Sequence, residues 1–140
     1  PKNLLKIYIS VNQTVLDDEG NRLLSSRQLR LIRRMSRDFL YRNTSAAGTL
    51  KLWTSVVSGE EKYLYCFKDT ADIQLFTYHS YEPCLFKNII IDLLKDLPET
   101  VDNYDYIMNA KKALEKFESI KTDLIPKNSL ISEFIPRKDS

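Results

Sequence analysis

The chain has 140 residues, a formal net charge of +2, 43% hydrophobic residues and 29% charged residues. That balance fits one compact soluble domain, long enough to bury a core without disulfide or metal staples. With three glycines, two cysteines and one histidine, it lacks the makings of a glycine-rich phosphate loop or a cysteine–histidine zinc centre.

Residues 4–11, LLKIYISV, alternate with Ile7, Ile9 and Val11 on one side and Lys6, Tyr8 and Ser10 on the other, the period of a strand. Asp17-Asp18-Glu19-Gly20-Asn21 is a turn cluster, and a short strand at Arg22-Leu23-Leu24 would close a hairpin. Ser25-Ser26 offers an N-cap for a helix over 26–42, which Thr44-Ser45-Ala46-Ala47-Gly48 ends. Three strands are then predicted at 49–57 (TLKLWTSVV), 62–68 (KYLYCFK) and 73–79 (IQLFTYH), from their β-branched and aromatic content and their alternation. Turns at 58–61 and 69–72 would join them as an antiparallel meander.

Glu82-Pro83 opens a helix that runs to Leu97 and stops before Pro98. A last helix over 103–123 carries Ile107, Ala110, Leu114 and Phe117 at helical spacing. The expected order is β-β-α-β-β-β-α-α. It gives an α+β domain over residues 1–125, with a five-stranded antiparallel sheet and helices packed on its faces. Residues 126–140 form a C-terminal tail, partly docked through Leu130, Ile131, Phe134 and Ile135.

The functional handle lies in SRQLRLIRRMSRDFLYR, residues 26–42. It holds six of the chain's eight arginines and no lysine, although lysines outnumber arginines 13 to 8. On a helical wheel starting at Arg27, residues Arg30, Arg33, Arg34, Arg37 and Tyr41 fall between about 240° and 340°. Leu29, Leu31, Ile32, Met35, Phe39 and Leu40 fall between about 40° and 220°. Like charges on neighbouring turns repel, and Asp38 is the one acid on the helix. Compensation must come from the fold, through the Asp17-Asp18-Glu19 turn or the last helix, or from an anionic partner.

Arginine's planar fork suits partner docking on carboxylate or phosphate. The expected partner-binding residues are therefore Arg27, Arg30, Arg33, Arg34, Arg37 and Tyr41. The anion is an acidic protein surface, a lipid headgroup or a nucleic acid. Nucleic acid is the alternative to a protein partner, but stacking platforms beside the charge are few.

Other chemistry is sparse. His79 lies beside Ser80 and Glu82 without a third group or a nucleophile elbow, so it reads as a strand-end histidine with local hydrogen bonds. Paired aspartates occur only in turns. Ser36 follows Arg33-Arg34-Met35 as in a basophilic kinase site, but it projects into the apolar arc. Cys66 and Cys84 read as buried thiols of a reducing cytosol. No metal, cofactor or catalytic residue is assigned. No apolar run approaches the ~18 residues of a membrane span, and no signal peptide is visible.

The predicted element order resembles the longin, or profilin-like, fold, and within it the small (sigma-type) subunits of clathrin adaptor complexes. KIYISVNQ resembles their opening strand and RQLRLIRRMSRDFLYRN the first helix. EKYLYCFKDTADIQLF resembles the central hairpin, and LFKNIIIDLLKDL and YIMNAKKALEKF the two following helices. The resemblance implies a non-catalytic subunit of a vesicle-trafficking or tethering complex. Such a subunit would be cytoplasmic, or peripheral on membranes, and would offer its sheet edge, first helix or tail to larger partners.

Overall fold

A computed structural model describes residues 4–136. The order is β1 (Ile7–Ser10), β2 (Val15–Leu16), β3 (Arg22–Leu24), α1 (Ser26–Arg42), α2 (Ala46–Tyr63), β4 (Ile73–Phe76), α3 (Glu82–Leu93) and α4 (Tyr104–Glu115). Short 3₁₀ turns lie at Tyr65–Thr70, Thr122–Leu124 and Leu130–Phe134.

The five-stranded antiparallel sheet and the order β-β-α-β-β-β-α-α are corrected by this architecture. Two separate two-stranded sheets form instead. One joins β1 and β4 in parallel, with Ile7 opposite Ile73 and Ile9 opposite Leu75. The other is the small antiparallel hairpin β2–β3, which carries a register irregularity. The hairpin partner of Arg22–Leu24 is thus Val15–Leu16, and residues 4–11 pair elsewhere.

The largest difference is at 49–57, expected as a strand and found inside α2. Its residues satisfy two periods at once. Leu50, Leu52, Thr54 and Val56 alternate, but Ala46, Thr49, Leu50, Trp53, Val56 and Val57 also form one helical stripe. The helical solution wins because Ser45 caps it, with the Gly48 amide donating to its Oγ at 3.1 Å. Leu50 is buried while Leu52 is 53% exposed. Residues 62–68, also expected as a strand, finish α2 and turn into the first 3₁₀ segment. The meander therefore reduces to β4 alone. With its neighbours helical, β4 pairs in parallel with β1 across a long crossover, the connection a parallel pair requires.

α1 is the central element. Ser25 and Gln28 close a capping box at its start. Asn43 ends it in the left-handed region (φ 51°), its amide donating to the Asp38 carbonyl. Leu29, Leu31, Ile32 and Met35 are fully buried beneath α2, α3 and the tail. Phe39 belongs to the predicted apolar arc yet is 52% exposed. α3 and α4 are shorter than expected and pack on each other through Leu85, Phe86, Ile90, Ile107 and Leu114. The tail is held by buried Ile131 and Ile135. Among the described residues no helix is long and apolar enough to cross a membrane.

Leu50 and Leu52 separate the two secondary structures. In a strand they share one face; in α2 they lie about 200° apart. Leu50→Ala should cost about 2–5 kcal/mol and Leu52→Ala no more than about 0.5 kcal/mol in chemical denaturation. Similar losses from both would favour a strand.

Candidate functional site: an arginine-lined pocket

The six arginines of α1 meet four carboxylates, which come from places other than the Asp17-Asp18-Glu19 turn or the last helix. Arg27 reaches Glu61 at 2.8 Å, and Arg30 forks onto both oxygens of Glu60. Both acids sit in the last turn of α2, so the antiparallel packing of α1 and α2 aligns them with the start of α1. Arg30 also donates to the Tyr65 hydroxyl at 2.9 Å. Nearby Tyr8 lies buried, and burial raises its phenol above the ordinary value. Tyr65 adds to that rise and Arg30 partly offsets it.

Arg33 is buried at 6% exposure and opposes Glu82, which is fully buried. Its Nε donates to Glu82 Oε2 at 2.8 Å and one terminal nitrogen to Oε1 at 2.5 Å. The same nitrogen donates to the Thr77 carbonyl at 2.6 Å. Glu82 Oε1 also accepts the His79 amide at 2.7 Å, with the His79 ring at 3.3 Å. The carboxylate lies in the first turn of α3, where the helix dipole favours negative charge. His79 thus makes local hydrogen bonds, and the acid beside it is already engaged by Arg33. Burial, with Glu82 next, raises the phenol of Tyr78.

The remaining three arginines share one acid. Asp38, buried at 4%, lies 3.3 Å from Arg34, 3.2 Å from Arg37 and 3.4 Å from Arg42. Arg34, Asp38 and Arg42 fall on one stripe at steps of four residues, so the acid bridges successive turns. Thr49 at the start of α2 adds a contact at 3.4 Å. Elsewhere on α1 cation and anion match one to one. Here three guanidinium groups face one carboxylate, an excess of two positive charges. Arg34 Nε is close to Asp38 but out of line for a hydrogen bond. It is buried with no acceptor among the described residues, a cost of about 1–3 kcal/mol for a buried donor.

A cavity of about 200 Å³ opens on this side of α1. Arg30, Arg33, Arg34 and Arg37 form one wall, and Trp53, Val56 and Glu60 of α2 form another. Val11, just after β1, and Phe134 of the tail complete it. Arg33 stacks over the Phe134 ring at 5.3 Å. The tail is pinned there by Ser36 Oγ donating to the Phe134 carbonyl at 2.5 Å and by the Tyr41 hydroxyl donating to the Ile135 carbonyl. Ser36 is fully buried, so its hydroxyl is withheld from solvent.

The structure therefore gathers four of the residues singled out in the sequence, Arg30, Arg33, Arg34 and Arg37, around one cavity. It places Arg27 apart, beside Glu61, and gives Tyr41 to the tail. The side chains of Arg30, Arg34 and Arg37 keep 23%, 27% and 26% exposure, so solvent and solutes reach them. Sequence reasoning missed Glu60 and Glu61, taken as turn residues, and Trp53 and Phe134 as walls. Acids at the far end of an amphipathic α2 stripe were the signal for Glu60 and Glu61. Nothing local marks Phe134. Among the described residues no cluster of three or more His, Cys, Asp or Glu could hold a metal ion. No family model, curated protein or solved structure matches the chain.

The charge count sorts the arginines by their importance to folding. Arg42→Gln should change stability by no more than about 0.5 kcal/mol, because it removes part of a like-charge excess, and Arg34→Gln should not lower it, because it also removes the unpaired buried donor. Arg30→Gln should cost about 1.5–3 kcal/mol, because it strips the fork from Glu60. Urea denaturation of the three variants checks the order.

Proposed function

We propose that the chain is a non-catalytic protein-interaction domain that takes an acidic group of its partner into the arginine-lined pocket. One observation carries the reading. Three guanidinium groups compete for the single carboxylate of Asp38, and two of them, Arg34 and Arg37, line a solvent-reachable cavity. A partner carboxylate entering there would meet donors already in place on the partly exposed guanidinium groups of Arg34 and Arg37.

The cavity admits a side-chain carboxylate with its methylene stem against Trp53, Val56 and Phe134. Its size suits a single anionic group better than a track of phosphates. The element order on which the resemblance to adaptor subunits rested is not the one found, so the partner is defined by its chemistry, an acidic protein surface. The basic face on nucleic acid is the competing reading, and it predicts a different salt response. Phosphate contacts lower affinity by roughly one log unit per log salt for each contact.

Trp53, the chain's single tryptophan, lines the pocket, so its fluorescence reports occupancy. Titration with a glutamate-rich peptide should change Trp53 emission in a saturable way. Arg34→Gln combined with Arg37→Gln should weaken binding by about tenfold or more, in line with losing charge-assisted hydrogen bonds. Arg27→Gln should leave it unchanged. Equal binding by wild type and the double variant would remove the proposal. So would tighter binding of single-stranded oligonucleotide than of peptide, with a steep salt slope.

A further inference from the structure

A second cavity, of about 580 Å³, lies where β3, the start of α1, the segment after α2 and α4 meet. Its walls include Arg22, Arg27, Gln28, Tyr65, Tyr106 and Asn109, and no carboxylate lines it. Arg22 is exposed and has no ion pair among the described residues. Arg27 has Glu61 at 2.8 Å, but the two side chains are 37% and 58% exposed, and so wetted a pair yields readily to a second anion. The other polar groups keep donors unused. Gln28 gives its side-chain oxygen to Ser25 and keeps its amide nitrogen. The Tyr65 hydroxyl accepts from Arg30 and keeps its own proton. The Tyr106 hydroxyl and the Asn109 amide, one turn apart on α4, have no partner among the described residues. A smaller cavity of about 210 Å³ adjoins the first through Arg27 and Tyr106, which line both. Trp53 and Val57 of α2 give it an apolar side. The two form one groove, cationic at one end, aromatic and apolar at the other.

We propose that this groove binds a mononucleotide, with its phosphate between Arg22 and Arg27 and its base against Tyr106, toward Trp53 and Val57. Three features favour that ligand. A phosphate monoester offers several charged oxygens, enough to meet two guanidinium forks and the donors of Gln28 and Tyr65 at once. A carboxylate would occupy one fork and leave the rest unmet. The aromatic end asks for a flat ring, because base–aromatic stacking needs only an exposed π-face. Inorganic phosphate would leave that end empty. The larger cavity alone also falls within the roughly 300–1,000 Å³ of small-molecule sites. The groove excludes Arg34 and Arg37, so this reading and the partner-docking reading stand or fail separately. Trp53 borders both cavities, so heat of binding rather than its fluorescence is the readout that keeps them apart.

Isothermal titration of the chain with adenosine, guanosine, cytidine and uridine monophosphates tests this. At least one should bind saturably, one to one. The same nucleoside without its phosphate, and inorganic phosphate alone, should each bind about tenfold more weakly or worse. Arg22→Gln combined with Arg27→Gln should weaken the nucleotide by about tenfold or more, and Tyr106→Leu by about fivefold or more through lost stacking. Arg34→Gln combined with Arg37→Gln should leave it unchanged. Arg22→Gln alone removes an exposed, unpaired side chain and should act in the same direction, so the test survives if another variant does not fold. Circular dichroism establishes which variants are folded. No binding of any of the four at millimolar concentration would overturn the proposal. So would binding that neither the arginine variants nor Tyr106→Leu weaken, and so would inorganic phosphate binding as tightly as the nucleotide, which would leave a simple anion site.

Discussion

A guanidinium and a carboxylate, both removed from water, tie together three parts of this chain that lie far apart in sequence. Arg33 comes from the middle of α1, Glu82 from the first turn of α3, and the Thr77 carbonyl from the segment leaving β4. Desolvating two such charges costs several kcal/mol each, so the pair persists only because its remaining hydrogen-bonding capacity is filled. The Arg33 fork has both Glu82 oxygens and the Thr77 carbonyl, while Glu82 also has the His79 amide and the positive end of a helix. That arrangement fixes how α1 sits against α3. It also fixes which of the other arginines point toward α2 and the tail.

The rest of the basic helix follows from that anchor. With Arg33 committed to Glu82, Arg27 and Arg30 fall against the acids at the end of α2. Arg34, Arg37 and Arg42 are left around Asp38 with too few acceptors. The crowding of arginine on one helix therefore has two causes. Half of the cluster welds α1 to its neighbours, and half carries surplus charge around Asp38, with Arg34 and Arg37 beside a cavity. Surplus positive charge with an unpaired donor contributes little to folding, which is why the pocket and not the whole face is the functional candidate.

α1 was legible in the sequence from end to end. The Ser25-Ser26 cap and the separation of apolar and cationic arcs are local features, and the structure completes the cap with Gln28 as a capping box. The segment 49–57 was not, because β-branched residues and alternation spoke for a strand while a helical stripe ran through the same residues. The Ser45 cap and packing against α1 decided for helix, and the packing is non-local. At residues 7–10 the alternation was legible but its burial was not, since the Tyr8 side faces the core and the isoleucine side faces water. The pocket was legible only as its arginines. Its other walls, and the acids that neutralise the helix except Asp38, come from outside α1, and only the fold brings them in.

The buried pair is the claim on which the assignment of the other arginines depends, and a double-mutant cycle measures it directly. Urea denaturation of wild type, Arg33→Met, Glu82→Met and the double variant yields the coupling energy. Each single substitution leaves a buried charge unpaired and should cost about 3–5 kcal/mol, while the double variant recovers much of that loss. A coupling energy near zero, with the two losses simply adding, would contradict a structure organised around Arg33 and Glu82.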